Sequence, residues 1–144
     1  MNNQDYTVRI AANVSARDAF NSINRVSDWW ATHFEGHSEK LNDVFTVRFG
    51  ETFVTFKIID MVPDKKVVWQ VLDCNLHRFR DKKEWKDTKV SFEITQQGDT
   101  TQVLFTHIGL VPTVECYEVC QKGWDQYAKQ SLLKLITEGK GYPA

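Results

Sequence analysis

No apolar run in the 144 residues approaches the ~20 that a membrane-spanning helix needs. The start, Met1-Asn2-Asn3-Gln4-Asp5, has neither the basic residues nor the apolar stretch of a secretion signal, so the expected location is cytoplasmic. An excess of charge of either sign is missing as well. Eighteen basic residues face 19 acidic ones for a net charge of −1, and no whole-molecule field draws nucleic acid or an anionic membrane. Any partner has to be recognised locally. The three cysteines, Cys74, Cys116 and Cys120, are an odd number that fits a reducing compartment better than a disulfide framework. The sequon Asn13-Val14-Ser15 is then expected to stay unused. The three prolines, Pro63, Pro112 and Pro143, each stand beside an apparent element boundary, and there is no repeat, low-complexity tract or linker. One domain over residues 1–144 is the simplest division, and at 42% hydrophobic residues the chain can bury a real core without staples.

Tyr6-Thr7-Val8-Arg9-Ile10-Ala11 alternates with the two-residue period of a half-buried strand. Ser15 reads as an N-cap for Ala16, Ala19, Phe20 and Ile23 at helical spacing, and a second short helix covers 26–30. Five further strands are expected over 43–49, 52–60, 66–73, 89–95 and 101–110. Gly50-Glu51 suits a type II′ hairpin, and Pro63-Asp64 and Gly98-Asp99 are comparable turn signals. Apolar residues from Cys116 to Ile136 follow one helical stripe that stops before Gly139, a C′ glycine, which gives a long helix over 114–138. At 1.5 Å per residue it would span roughly 37 Å, enough to cross a six-stranded sheet roughly 24 Å wide. A helix ~10 Å across cannot cover such a twisted sheet, so a cleft for a small apolar ligand is expected between them.

The element order, with Asp28-Trp29-Trp30, Thr106-His107-Ile108-Gly109-Leu110, Gly123-Trp124 and the turn and strand Val62-Pro63-Asp64-Lys65-Lys66-Val67-Val68-Trp69, resembles the START-like, or SRPBCC, helix-grip superfamily. Within it the likeness is to the family named after the activator of the heat-shock protein 90 ATPase. The resemblance covers nearly the whole chain. It implies an α+β helix-grip fold: a curved six-stranded antiparallel sheet, two short helices after the first strand, and a long C-terminal helix across the sheet. The superfamily holds lipid carriers, hormone receptors and aromatic cyclases, so fold does not decide function. Chaperone activators carry a separate N-terminal chaperone-binding domain, for which 144 residues leave no room; chaperone activation is therefore not the expectation.

Strand alternation turns Phe45, Val47 and Phe49 inward, then Val54, Phe56 and Ile58, then Val67, Trp69 and Val71. Val90, Phe92 and Ile94 follow, then, by analogy with the family, Val103, Phe105 and His107. Two readings stand side by side: these groups fill one core, or some of them line a ligand cleft. In the ligand reading Phe45, Phe56, Trp69, Phe92, Phe105, Trp124 and Tyr127 supply contact area, His107 and Tyr117 orient the ligand by hydrogen bonds, and Trp30 guards an entrance. His107 is the lone ionisable group on an apolar stripe, and the plainer reading makes it a hydrogen-bonded core histidine tied to the last helix.

Cys116 and Cys120 share a helix face, more in keeping with small apolar fillers than with metal ligands, and adjacent helical turns are poor geometry for a disulfide. His33-Phe34-Glu35-Gly36-His37 has a histidine pair, but the glutamate is not at the metalloprotease position; a mobile loop or lid over the cavity mouth is the expectation. No metal or cofactor is expected. Arg78-Phe79-Arg80-Asp81-Lys82-Lys83-Glu84-Trp85-Lys86 mixes basic and aromatic residues, yet its acidic members dilute it, and a solvated loop is expected rather than a nucleic-acid contact. No phosphate cradle, nucleophile elbow or carboxylate pair is present.

The expected function is binding of a small apolar or amphipathic molecule, with no nucleic acid and no integral membrane association. Two alternatives stay open. One is a cyclase-like or dehydrase-like enzyme using His107 and Tyr117. The other is a stress-related co-chaperone-like module that meets a protein partner through the exposed sheet face.

Overall fold

The computed structural model describes residues 5–144. Seven antiparallel strands form one open, curved sheet in the order β1-β7-β6-β5-β4-β3-β2. They are β1 (Tyr6–Ala12), β2 (Phe34–Gly36), β3 (Val44–Phe49), β4 (Thr52–Val62), β5 (Lys66–Asn75), β6 (Lys89–Gln97) and β7 (Thr100–Ile108). Two short helices, α1 (Ala16–Asn24) and α2 (Val26–Trp29), follow β1. The Ser15 hydroxyl caps α1 by accepting the Asp18 N–H at 3.0 Å. The fold is α+β, as the alternation and the helical stripe imply.

Turn chemistry sets the registers. Gly50 takes φ +65° while Glu51 keeps a negative φ, the type II′ pattern that places Phe49 opposite Thr52. In Val62-Pro63-Asp64-Lys65 proline pre-sets the first corner and Asp64 takes φ +65°, a type II turn closed by Lys65 N–H to Val62 C=O at 2.9 Å. β4 carries two register shifts against β5, between Thr55 and Phe56 and between Ile58 and Asp60, and such irregularities bend a strand.

The sheet has one strand more than expected. Phe34–Gly36, read from sequence as a loop over the mouth, pairs with β3 as a short edge strand, Phe34 opposite Val47 and Gly36 opposite Phe45. Three residues are too few for alternation to show. What holds them is tertiary: Phe34 stacks on Phe45 at 5.6 Å, and a Cβ at Gly36 would lie 2.3 Å from the Val44 carbonyl oxygen.

The C-terminal helix begins later than expected and is not uniform. Residues 114–116 form turns; α3 (Tyr117–Trp124) then passes into a π-helical stretch, Asp125–Ser131, and on into α4 (Leu132–Glu138). A π stretch widens the helix and shifts the buried face along it. Gly139 closes α4 in the left-handed conformation, φ +78°, its N–H bonded to Leu135 C=O at 2.9 Å.

The inward positions of β3 to β7 are buried except Phe49, and their rings form a continuous aromatic core. Trp69 stands at its centre, 4.9 Å from Phe92, 5.0 Å from Phe45 and 5.1 Å from Phe56, ring centre to ring centre. Each such ring removes about 150–250 Å² from water, which is why this stripe dominates the fold's stability.

Candidate functional site

Space opens between sheet and helix at one end. It is a cavity of about 390 Å³ open to the surface, walled by Trp30 from the end of α2, Phe49, Thr52 and Val54 from the β3–β4 hairpin, Val119, Cys120, Gly123, Trp124 and Tyr127 from the C-terminal helix, and Leu76, Arg78, Phe79 and Trp85 from the β5–β6 connection. The wall is almost wholly apolar. Phe49, alone among the inward residues of β3, is only half-buried because it borders this space.

The β5–β6 connection is the main surprise. Expected as a solvated loop, it buries Leu76 and Trp85 and half-buries Phe79. Its backbone is held from both sides. Leu76 N–H donates to Lys82 C=O at 2.9 Å, and the Lys82 ammonium returns to the carbonyls of His77 and Phe79 at 2.8 and 3.0 Å. Glu115 accepts the N–H groups of Arg80 and Asp81 at 3.0 and 3.1 Å, and the Arg80 bond leads in holding its carboxyl below the usual range. Glu84 in turn accepts the N–H groups of Glu115 and Cys116 at 2.7 and 3.1 Å, satisfying donors just before α3. Loop and helix start thus cap each other. The signal was present in the sequence as Leu76, Phe79 and Trp85 set among charges, but without a period to mark a face.

Cys116 and Cys120 are joined by a disulfide, contrary to the expectation from an uninterrupted helix. Cys116 is the residue from which α3 starts, its C=O accepting the Cys120 N–H at 2.8 Å, and the Cα atoms are 5.6 Å apart, inside the range a disulfide bridges. Trp85 Nε1–H points at Cys116 Sγ at 3.2 Å, and the Trp85 ring stacks on Trp124 at 5.7 Å.

His107 is fully buried behind this wall and does not border the cavity. Trp124 Nε1–H donates to its Nδ1 at 3.0 Å, while Nε2 lies 2.9 Å from Thr88 Oγ1, which donates to Trp85 C=O at 2.6 Å. Since Nδ1 accepts, the neutral ring carries its proton on Nε2 and donates to Thr88, and every member of the chain is satisfied. Burial pushes the imidazole pKa down to about 3. Gly109 permits this closeness: at φ +105° a Cβ there would sit 2.7 Å from Thr88 Cγ2. This arrangement holds a ring in place; it offers no nitrogen to a substrate.

Of the residues singled out from sequence, Trp30, Trp124 and Tyr127 come together on the cavity wall. Phe45, Phe56, Trp69, Phe92 and Phe105 are instead packed against one another in the closed core behind Trp30 and Trp124, which lie 4.7 Å apart. Tyr117 is half-buried at the start of α3 and off the wall. The His33 to His37 segment lies on β2 and its flanks, away from the cavity. Among the described residues no cluster of three or more His, Cys, Asp or Glu side chains has the arrangement to hold a metal ion. No helix of the described residues is long and apolar enough to cross a membrane.

Comparison with known proteins agrees with this architecture. The solution structure of the Aha1 dimer from Colwellia psychrerythraea superposes with a TM-score of 0.77 at 23% identity, over 95% of this chain and 98% of that one. DynU16, a protein in the dynemicin biosynthetic locus, gives 0.73 at 13% identity over 97% of this chain and 49% of its own. CalU16 from Micromonospora echinospora gives 0.65 at 11% identity, over 92% and 74%. At these identities the likeness shows the helix-grip fold alone. No curated protein sequence matches the chain. The family described as Activator of Hsp90 ATPase homolog 1-like protein matches residues 18–137, and the chain belongs to that family.

Proposed function

We propose that the protein binds a small apolar or amphipathic molecule in the cavity between α3 and the β3–β4 hairpin. One observation carries the reading: a space of about 390 Å³, of the size that holds small ligands, is left open beside a core otherwise filled by rings, and its wall is aromatic and aliphatic. An enzyme reading built on His107 has less support, because both its nitrogens are engaged and its ring is sealed from the cavity. Tyr117 stands off the wall as well.

The test uses N-phenyl-1-naphthylamine, a neutral dye that brightens in apolar surroundings. Saturable binding at one site per chain is expected, together with quenching of the tryptophans on the wall. Gly123 supplies the control, since a Cβ built there meets nothing within 4 Å and the residue borders the cavity. Gly123→Leu is expected to abolish dye binding while the protein stays folded. Unsaturable or absent binding, or binding unchanged in Gly123→Leu, would overturn the proposal. Native mass spectrometry of the purified protein then shows whether a small molecule or a protein partner travels with it.

A further inference from the structure

The cavity wall contains one charged side chain, Arg78, at the solvent-facing edge of the β5–β6 connection. Among the described residues no carboxylate pairs with its guanidinium. The acidic groups around the connection are committed elsewhere: Glu115 to the N–H groups of Arg80 and Asp81, Glu84 to those of Glu115 and Cys116, Asp73 to the Lys83 ammonium at 2.8 Å, and Asp81 to the Lys83 N–H at 3.1 Å. Glu51, next to the wall residue Thr52, faces His77 at 3.2 Å. The Arg78 guanidinium therefore keeps its donors free at the mouth. Deeper in, polarity is sparse. The Thr52 hydroxyl already accepts the His77 N–H at 3.2 Å, and the Tyr127 phenol and the tryptophan indole N–H groups are the other polar groups of the wall side chains.

An apolar pocket with one unpaired cation at its rim fits one ligand pattern. We infer that the ligand is an amphipathic monoanion, with a hydrocarbon body inside the cavity and a single acidic headgroup, a carboxylate in the first instance, received by Arg78. A guanidinium suits the task because its planar fork meets both carboxylate oxygens, and it stays charged at every physiological pH. A cationic amphiphile would meet like charge at the rim, and a ligand with a charged second end would leave that charge unpaired inside. The inference rests on the cavity reading above.

The experiment measures displacement of bound N-phenyl-1-naphthylamine by decanoate, decanol and decylamine at about pH 8, where the carboxylate is ionised. Decanoate is expected to compete about three- to tenfold better than decanol, since an exposed charge-assisted pair adds modestly to apolar burial. Decylamine is expected to be the weakest. Arg78→Gln should erase the decanoate preference while leaving decanol unchanged, which also shows that the variant is folded. Arg80→Gln, a charge on the same connection but off the wall, should leave the preference intact. Equal competition by decanoate and decanol, or a preference that survives Arg78→Gln, would overturn the headgroup assignment while the cavity reading stands. No binding of the dye or of any competitor would overturn both.

Discussion

The Trp124 indole N–H donates to Nδ1 of His107 at 3.0 Å, tying the C-terminal helix to the last strand of the sheet through a single neutral imidazole. The bond also fixes the tautomer. A protonated His107 would set an Nδ1–H against the indole N–H, two donors with no acceptor between them. The helix–sheet contact beside the cavity therefore depends on this ring staying neutral.

Its pKa of about 3 lies below the ordinary histidine value of 6.5, so the unfolded chain takes up a proton that the folded chain refuses. The stabilisation is complete above pH ~6.5 and falls as pH drops from there toward ~3. The loss from this one group between about pH 7 and pH 5 is expected to be about 2 kcal/mol. Urea titrations of the parent and of His107→Gln at both pH values check it. The parent should lose about that much more stability than the variant; equal losses would mean that His107 titrates normally in the folded state.

Gly123 lies inside α3 with an ordinary helical φ and open space where a Cβ would be. Gly123→Ala is expected to stabilise the protein by about 0.5–1 kcal/mol, because glycine carries excess backbone freedom in a helix. Chemical denaturation measures this. A destabilised variant would show that the backbone there needs glycine.

Ser131, buried where the π-helical stretch meets α4, donates to Trp29 C=O at 2.6 Å and accepts the Tyr142 N–H at 2.7 Å. It joins α2, the long helix and the C-terminal segment; the latter also bonds Trp30 C=O through Ala144 N–H at 2.9 Å. Ser131→Ala would leave a carbonyl and an N–H short of a partner and is expected to cost about 1–3 kcal/mol. Since Trp30 forms part of the cavity wall, dye affinity should fall in the same variant. A loss below about 0.5 kcal/mol, the range of ordinary surface changes, would mean that the hub is dispensable.

The cysteines make a countable prediction. Cys74 is buried and unpaired, its pKa raised by that burial, while Cys116 and Cys120 are joined. Alkylation of the denatured, unreduced protein should label one of the three thiols, and labelling after reduction should reach all three. Three labels without reductant would place the protein in the dithiol form.

Periodicity was enough for the long strands and for the two helices after β1, because burial on one face imposes a period that survives in the residues themselves. Phe45, Phe56, Trp69, Phe92 and Phe105 face inward as alternation requires. The same pattern could not separate a filled core from a cleft wall, since an apolar residue serves both. β2 was illegible for a different reason: its three residues are held by Phe45 and by backbone closeness to Val44, partners on the neighbouring strand and not within its own run.

What the sequence by itself determined was the α+β class, most element boundaries, and the family likeness carried by their order. Local propensity, turn chemistry and burial period are written residue by residue, and each can be read without neighbours in space. Only the tertiary structure decided where the cavity lies and what lines it. The cavity lies at one end of the ring-filled core, and the connection that closes it, Leu76 to Trp85, is ordered by the carboxylate reaching across from Glu115 and by its own Glu84. The role of His107 was decided the same way. A histidine on an apolar stripe serves chemistry or architecture according to which atoms face its two nitrogens, and Trp124 and Thr88 meet it only after the helix has crossed the sheet.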